Sequence, residues 1–222
     1  LTRPDFLAIV SLDQLASYLN RDAEIRPDGF VVERPPAGGH SAPPRGRMQL
    51  DENGEPVYGA RDEADLEKMA AIGLPFWMAG AYGTPEHVAA AVRAGAVGVQ
   101  VGTLFALCGD SGITDTSRRQ VLDRLRAGDL TVRNDPRASP TGFPFKVLQM
   151  PGTVSEPEAF AARERICDLG YLRQCYRQLD GSAGYRCPGE PLDDFLRKGG
   201  TEAETHGRKC ICNGLLSAID HG

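Results

Sequence analysis

Several absences narrow the reading of this chain. No apolar run approaches the ~20 residues of a membrane-spanning helix, so membrane insertion is not expected, and no signal peptide is visible at this start. Positive charge is in short supply: 25 Lys and Arg against 30 Asp and Glu leave a net charge of −5, which argues against nucleic acid or an anionic membrane as partner. The 6 cysteines include no Cys-x-x-Cys pair, the tight spacing that tetrahedral metal sites favour, so no metal is expected. There is no internal repeat and no low-complexity tract, which removes solenoid folds. What remains, 41% apolar residues with abundant glycine, is ordinary for an α/β protein of a reducing, cytoplasmic compartment.

Two stretches carry chemical signals. Residues 32–47 deliver Gly38-Gly39-His40 directly off the end of a buried strand. Glycine permits a sharp turn and close approach of a planar ligand, and histidine is the side chain that titrates nearest neutrality. A plain glycine turn with a surface histidine reads equally from these residues alone. The second stretch, Leu74 to Cys108, reads as a βαβα unit. Its strand Pro75 to Ala79 leads through Gly80-Ala81-Tyr82-Gly83 into a helix with Thr84 as N-cap, Pro85 at the first position, Val88, Ala91 and Val92 on one face, and Gly95 as stop. In the next strand, Val97, Val99 and Val101 share one face while Gly98, Gln100 and Gly102 share the other, a small polar face fit to border a ligand. Gly102-Thr103 then opens a helix whose free backbone N–H groups attract phosphate, as at many βα junctions.

Taken in order, these motifs resemble the nitronate monooxygenase family, also called 2-nitropropane dioxygenases, which are FMN-dependent (β/α)8 TIM barrels. Glu33, Gly38, Gly39 and His40 are similar to the family's Glu-Gly-x-x-Ala-Gly-Gly-His element; Ala79-Gly80 is similar to its next element, and Gln100 to Phe105 to its Gln-x-Gly-Thr-x-Phe phosphate site. The resemblance implies His40 as the catalytic residue and FMN held by Gly38, Gly39, Gly80, Gln100, Val101, Gly102 and Thr103. It implies oxidation of alkyl nitronates, or nitroalkanes, by dioxygen to a carbonyl compound and oxidised nitrogen. Asn134 to Gly152 and the tail Lys209-Cys210-Ile211-Cys212-Asn213-Gly214 resemble an actinobacterial-type branch. Two departures stand out: Arg34 replaces the glycine usual after the glutamate, and Ser41-Ala42-Pro43-Pro44 replaces a short glycine turn. The stiff Pro-Pro pair aims Arg45 and Arg47 toward or away from a cavity mouth, with solvated loop charges as the simpler reading.

A whole TIM barrel has eight βα units in about 250 residues. Only four candidate strands are found here: Phe6 to Val10, Phe30 to Glu33, Pro75 to Ala79 and Val97 to Val101. Helices are expected at Leu12 to Asn20, begun by a Ser11-x-x-Gln14 capping box, and at Asp62 to Ala71, stopped by Gly73. The chain also opens at Leu1 and enters a strand almost at once. The expected architecture is therefore the second half of a barrel over residues 1–132, followed by a loop-rich appended segment over 133–222. Such a half exposes two sheet edges and one apolar face, for which pairing as a homo-oligomer is one remedy.

The appended segment carries helical patches at Glu156 to Cys167, Pro191 to Lys198 and Leu215 to Ile219. It holds Cys167, Cys175, Cys187, Cys210 and Cys212, with only His206 and His221 near them, and buried free thiols are the default. Cys108 is expected in the core, as are Trp77 and Met78; His87, on a helix first turn, is expected neutral and structural. Tyr82 lies on the loop where a barrel presents its ligands. Two rivals to nitronate oxidation remain: an FMN-dependent enoyl-acyl-carrier-protein reductase, which shares the barrel and a similar Ala-Gly-Gly-His element, and an inactive barrel fragment.

Overall fold

The computed structural model describes residues 3–220; Leu1 and His221 lie outside the described residues. Two compact units make up the chain: residues 3–51 with 57–105, and residues 52–56 with 106–220.

The first unit is built on four parallel strands in sequential order: β1 (Leu7–Val10), β2 (Gly29–Glu33), β3 (Phe76–Ala79) and β4 (Gly98–Gln100). Helices α1 (Asp13–Leu19), α2 (Leu66–Ala71) and α3 (Pro85–Arg93) separate them. Parallel neighbours need such crossovers, and repeated βα units in strict order are the pattern of the partial (β/α)8 barrel that the resemblance implies. Register puts Ala8, Phe30 and Phe76 in one row and Val10, Val32 and Met78 in another. These two rows face the helices, where they join Ala16 of α1, Met69 of α2 and Ala91 of α3 in a single core. Small alanines let the helices approach the sheet closely, and full burial of Phe30 or Phe76 contributes roughly 2–3 kcal/mol each. The opposite face carries Leu7, Ile9, Val31, Trp77 and Gly98, and Ile9 is 58% exposed.

The four expected strands form with no end shifted by more than one residue, which is the ordinary play of strand termini. The helix starts differ for identifiable reasons. Helix α1 begins at Asp13 with Leu12 as N-cap and no side-chain cap, so the Ser11 capping box does not form. Asp13 is instead buried and accepts the backbone N–H of Asp65 at 3.1 Å, tying α1 to the start of α2. Helix α2 begins at Leu66 rather than Asp62, because Asp65 is the N-cap and accepts from the N–H groups of Glu67 and Lys68; residues Ala60–Asp62 form a separate 3-10 turn. Helix α3 has the expected Thr84 cap, Pro85 start and left-handed Gly95, but Val92 is 52% exposed while Ala91 is buried. One residue along a helix is a rotation of about 100°, enough to carry Val92 off the core face. Trp77 is only half-buried, since it points to the face away from the helices; Met78 is core.

The second unit pairs β5 (Val132–Asp135) with β6 (Phe145–Leu148), and β7 (Gln174–Arg177) with β8 (Ala183–Arg186), both antiparallel. Around these lie α5 (Asp115–Ala127), α6 (Pro157–Ala162), α7 (Leu192–Arg197), α8 (Glu202–Thr205) and α9 (Ile211–Ser217); α4 (Thr103–Ala106) crosses from one unit into the next. Helix α6 stops well before Cys167, and α9 begins earlier than expected. Buried side chains include Ala138, Met150, Cys187, Phe195 and Ile211. Glu190 is 2% exposed and is paired with Lys198 at 2.7 Å. Burial is uneven among the thiols: Cys187 is buried, whereas Cys108 and Cys175 are exposed. Cys108 therefore is not core; it follows a four-residue helix that buries none of its side chains. No described helix is long and apolar enough to cross a membrane, and among the described residues no group of three or more His, Cys, Asp or Glu is arranged to hold a metal ion.

Candidate active site

The carboxyl ends of β2, β3 and β4 bring the sequence motifs together. Glu33 on β2 lies level with Ala79 on β3, and Ala79 with Gln100 on β4, so the three loops leave the sheet at one height. Ligands bind at this end of parallel sheets because the loops there converge on open space. Between β2 and α2 runs the long segment 34–65, which carries His40; connections of that length in compact domains tend to be functional.

Backbone packing fixes how these loops meet. Arg34 donates its N–H to the Ala79 carbonyl at 3.0 Å, and Ala37 donates to the Arg34 carbonyl at 3.0 Å. Gly80 sits against that turn with φ +104°; a β-carbon there would lie 3.1 Å from the Ala37 nitrogen and 3.2 Å from the Arg34 oxygen. Only glycine meets both demands. On the other side, a β-carbon on Gly38 would come within 3.9 Å of the Thr103 hydroxyl, and one on Gly83 would strike Leu104 at 2.9 Å. The Gly-Gly-His loop, the Ala79-Gly80 turn and the Gln100 to Phe105 segment thus form one rim. At Gly39 and Gly102 a β-carbon would meet nothing within 4 Å, leaving backbone accessible to a flat or anionic ligand. Gln100, Gly102 and Thr103 are exposed, and Val101 is half-buried.

His40 is half-buried on this rim, and burial lowers its pKa from the usual 6.5 by disfavouring the charged ring. At neutral pH the imidazole is therefore uncharged, able to donate from one nitrogen and accept at the other. His87 is exposed; its backbone N–H is held by the Thr84 hydroxyl, and its ring meets Tyr82 edge-on at 6.3 Å.

The structure adds residues that motif reading missed. The Arg34 guanidinium pairs with Glu63 through two bonds, Nε to Oε2 at 2.8 Å and Nη2 to Oε1 at 3.0 Å, and lies 5.9 Å from the centre of the Tyr82 ring. The hydrogen bonds to Glu63 raise the guanidinium pKa beyond its already high range. Nothing local announces Glu63 as a partner, because the pair is separated by a loop and formed only when α2 docks. A cavity of about 210 Å³ opens at the ends of β1 and β2, bordered by Ser11, Glu33, Arg34, Arg45, Tyr58 and Asp62. Arg45 thus reaches a cavity mouth, anchored by its backbone N–H to the Asp62 carboxylate at 2.7 Å; Arg47 is exposed.

Several known proteins resemble the chain over part of its length. A curated relative from Mycobacterium tuberculosis (strain ATCC 25618 / H37Rv), (3aS,4S,5R,7aS)-5-hydroxy-7a-methyl-1-oxo-octahydro-1H-indene-4-carboxyl-CoA dehydrogenase, is 29% identical over 135 residues, which is 60% of this chain and 33% of that protein. The chain therefore spans about a third of that relative's length. Among solved structures, FabK from Thermotoga maritima matches at 22% identity with a TM-score of 0.46, covering 66% of this chain and 40% of that one. Nitroalkane oxidase from Streptomyces ansochromogenes matches at 22% identity with a TM-score of 0.45, covering 64% and 38%. The model of the nitronate monooxygenase family matches residues 7–135, a stretch that contains the whole parallel sheet, its rim and His40; the chain belongs to the nitronate monooxygenase family.

Proposed function

We propose that the rim at the ends of β2, β3 and β4 is the FMN and substrate site of a flavin-dependent oxidoreductase that oxidises alkyl nitronates, or nitroalkanes, with dioxygen. The observation that carries this reading is the convergence of Gly38, Gly80 and Thr103 on one rim that also holds His40. The residues suit a flavin phosphate: glycines at 39 and 102 leave open space above the backbone, and Gln100 and Thr103 add exposed polar side chains beside the start of a helix. Because α4 has only four residues, the individual backbone donors matter more there than a helix dipole. Bound FMN supplies the two-electron exchange with the nitronate and with dioxygen.

The protein's own part is binding, orientation and one proton. A nitronate is already an anion, so His40 in its neutral form hydrogen-bonds to a nitro oxygen and holds the α-carbon in place. With a neutral nitroalkane, the unprotonated ring nitrogen of His40 accepts the α-proton, a role suited to a histidine whose pKa is lowered by burial.

The test is an absorbance spectrum of the purified chain with mass identification of whatever cofactor denaturation releases, followed by anaerobic mixing with a nitronate or with NADH. FMN bleached by the nitronate supports this reading. Bleaching by NADH alone favours an enoyl-reductase type of reaction, a choice worth offering because the curated relative is named a dehydrogenase. No flavin at all leaves the inactive-fragment reading. His40→Asn is expected to keep the flavin and lose turnover; equal turnover removes the catalytic role.

A further inference from the structure

Separate segments of the second unit bring free thiols toward one place. Cys187 follows directly on β8, Cys210 is the N-cap of α9, and Cys167 lies on the loop between α6 and β7. A β-carbon built on Gly189 would lie 3.6 Å from the Cys187 sulfur and 3.4 Å from the Lys209 carbonyl oxygen. The Cys187 sulfur therefore packs beside the peptide that leads into Cys210. Both segments are anchored. Lys209 donates its N–H to the Ala138 carbonyl at 2.8 Å and its Nζ to the Val154 carbonyl at 2.7 Å. The turn after Cys187 is closed by the Glu190 N–H on the Cys187 carbonyl at 2.9 Å, and Lys198 holds the buried Glu190 carboxylate. Cys167 is tied to α9 one step further off, through Asn213 Nδ2 donating to the Asp168 carboxylate at 3.0 Å. Cys212 shares the segment of Cys210, but side chains two apart along a helix do not face each other. Access also differs: Cys187 is buried and Cys210 half-buried. Burial pushes the Cys187 pKa up to about 11, and the charges of Cys167, Glu190 and Cys210 add to the rise.

We propose that Cys210 and Cys187 are a peroxide-responsive thiol pair, in which Cys210 is oxidised first and Cys187 converts it to a disulfide. Hydrogen peroxide is the oxidant. In the first step the Cys210 sulfur attacks one peroxide oxygen, the O–O bond breaks, and the products are the Cys210 sulfenic acid and water. In the second the Cys187 sulfur attacks the Cys210 sulfur and the S–O bond breaks. The hydroxyl leaves with the Cys187 proton as a second water, so two thiols have given two electrons to one peroxide. Burial orders the steps: a small oxidant reaches the half-buried Cys210, while Cys187 is shielded from solvent yet lies beside its partner's backbone. The bond joins the end of β8 to the start of α9 and closes the loop from Pro188 to Lys209, which carries α7 and α8. A covalent closure of this kind limits the unfolded chain and so holds the loop in place.

The experiment treats the reduced chain with hydrogen peroxide, in buffer and in denaturing urea, then blocks the remaining thiols and maps tryptic peptides by mass without reduction. Trypsin cuts after Arg186 and after Lys209, so Cys187 and Cys210 fall in separate peptides, and Cys167 falls in another. In buffer the dominant linked peptide is expected to join Cys187 to Cys210, with the intact chain two hydrogens lighter and the link undone by dithiothreitol. Cys212→Ser keeps the link, which separates Cys210 from its neighbour in the same peptide. Cys210→Ser abolishes it and leaves Cys187 as a free thiol. Should Cys210→Ser fail to fold, the maps of the unaltered protein and of Cys212→Ser decide alone. Four results overturn the proposal: Cys210 driven to sulfinic acid while Cys187 stays free, a dominant link from Cys210 to Cys167, loss of the link in Cys212→Ser, or the same mixture of links in buffer and in urea. No readout uses flavin or a nitro compound, so failure of the oxidase reading leaves the thiol pair standing, and the reverse.

Discussion

Replacing Gly80 by alanine tests the packing of the rim, provided it is compared with the same change at Gly39. Both glycines have positive φ, +104° at Gly80 and +77° at Gly39, so both alanines carry backbone strain of about 1–3 kcal/mol. Only Gly80 has neighbours: the new methyl would press on the Ala37 nitrogen at 3.1 Å and the Arg34 oxygen at 3.2 Å. Those are backbone atoms hydrogen-bonded to each other, in a turn whose Arg34 N–H is bonded to the Ala79 carbonyl, so relief requires moving the turn. Overpacking of this kind adds about 1–3 kcal/mol. Gly80→Ala should therefore be less stable than Gly39→Ala by about 2 kcal/mol, which at a urea slope of about 2 kcal/mol/M separates their midpoints by about 1 M. Trp77, the only tryptophan, lies three residues before Gly80 on β3 and reports unfolding of this unit by fluorescence. Equal midpoints for the two variants would refute the claimed close approach of the Gly80 turn to residues 34–37.

Asp65→Ala removes the side chain that caps two N–H groups of α2; a loss of about 1 kcal/mol is expected by urea unfolding, and an unchanged midpoint would show the cap to be ornamental. Native thiol labelling should modify Cys108 and Cys175 first and Cys187 last, because Cys187 is buried and burial pushes its pKa up to about 11; early loss of the Cys187 thiol contradicts its burial. His40 should titrate below 6.5 by NMR, since burial disfavours its protonated form. Its contribution to stability is whole above the unfolded value near 6.5 and is lost as pH falls through the lower folded value; a midpoint at or above 6.5 counts against this environment.

Much of the first unit was legible because its signals are local. A continuous apolar run marks β2, alternating valines mark β4, and Thr84, Pro85 and Gly95 bracket α3 through cap chemistry that needs no distant partner. The missed helix α5 had such brackets too, a Thr114 cap and a left-handed Gly128. It was obscured because its large apolar side chains, Val121, Leu122 and Leu125, span little more than one turn and none is buried, leaving a hydrophobic period too short to stand out. The β7–β8 hairpin turns through Asp180-Gly181, a recognisable turn pair, but its strands bury little and alternate weakly. The start of α2 went astray because both Asp62 and Asp65 are cap residues by type. Docking against Asp13 of α1, distant in sequence, accompanies the choice of Asp65.

By itself the sequence determined the α/β class, the order of strands and helices in the first unit, and the motifs that place His40 and its glycines after a strand. These follow from short-range rules of period, capping and turn chemistry. Tertiary structure alone decided that Gly38, Gly80 and Thr103 share one rim, that burial lowers the pKa of His40, and that Arg34 is paired with Glu63 beside the Tyr82 ring. Each depends on groups far apart in the chain meeting at a set distance, and only the packed sheet with its register sets those distances.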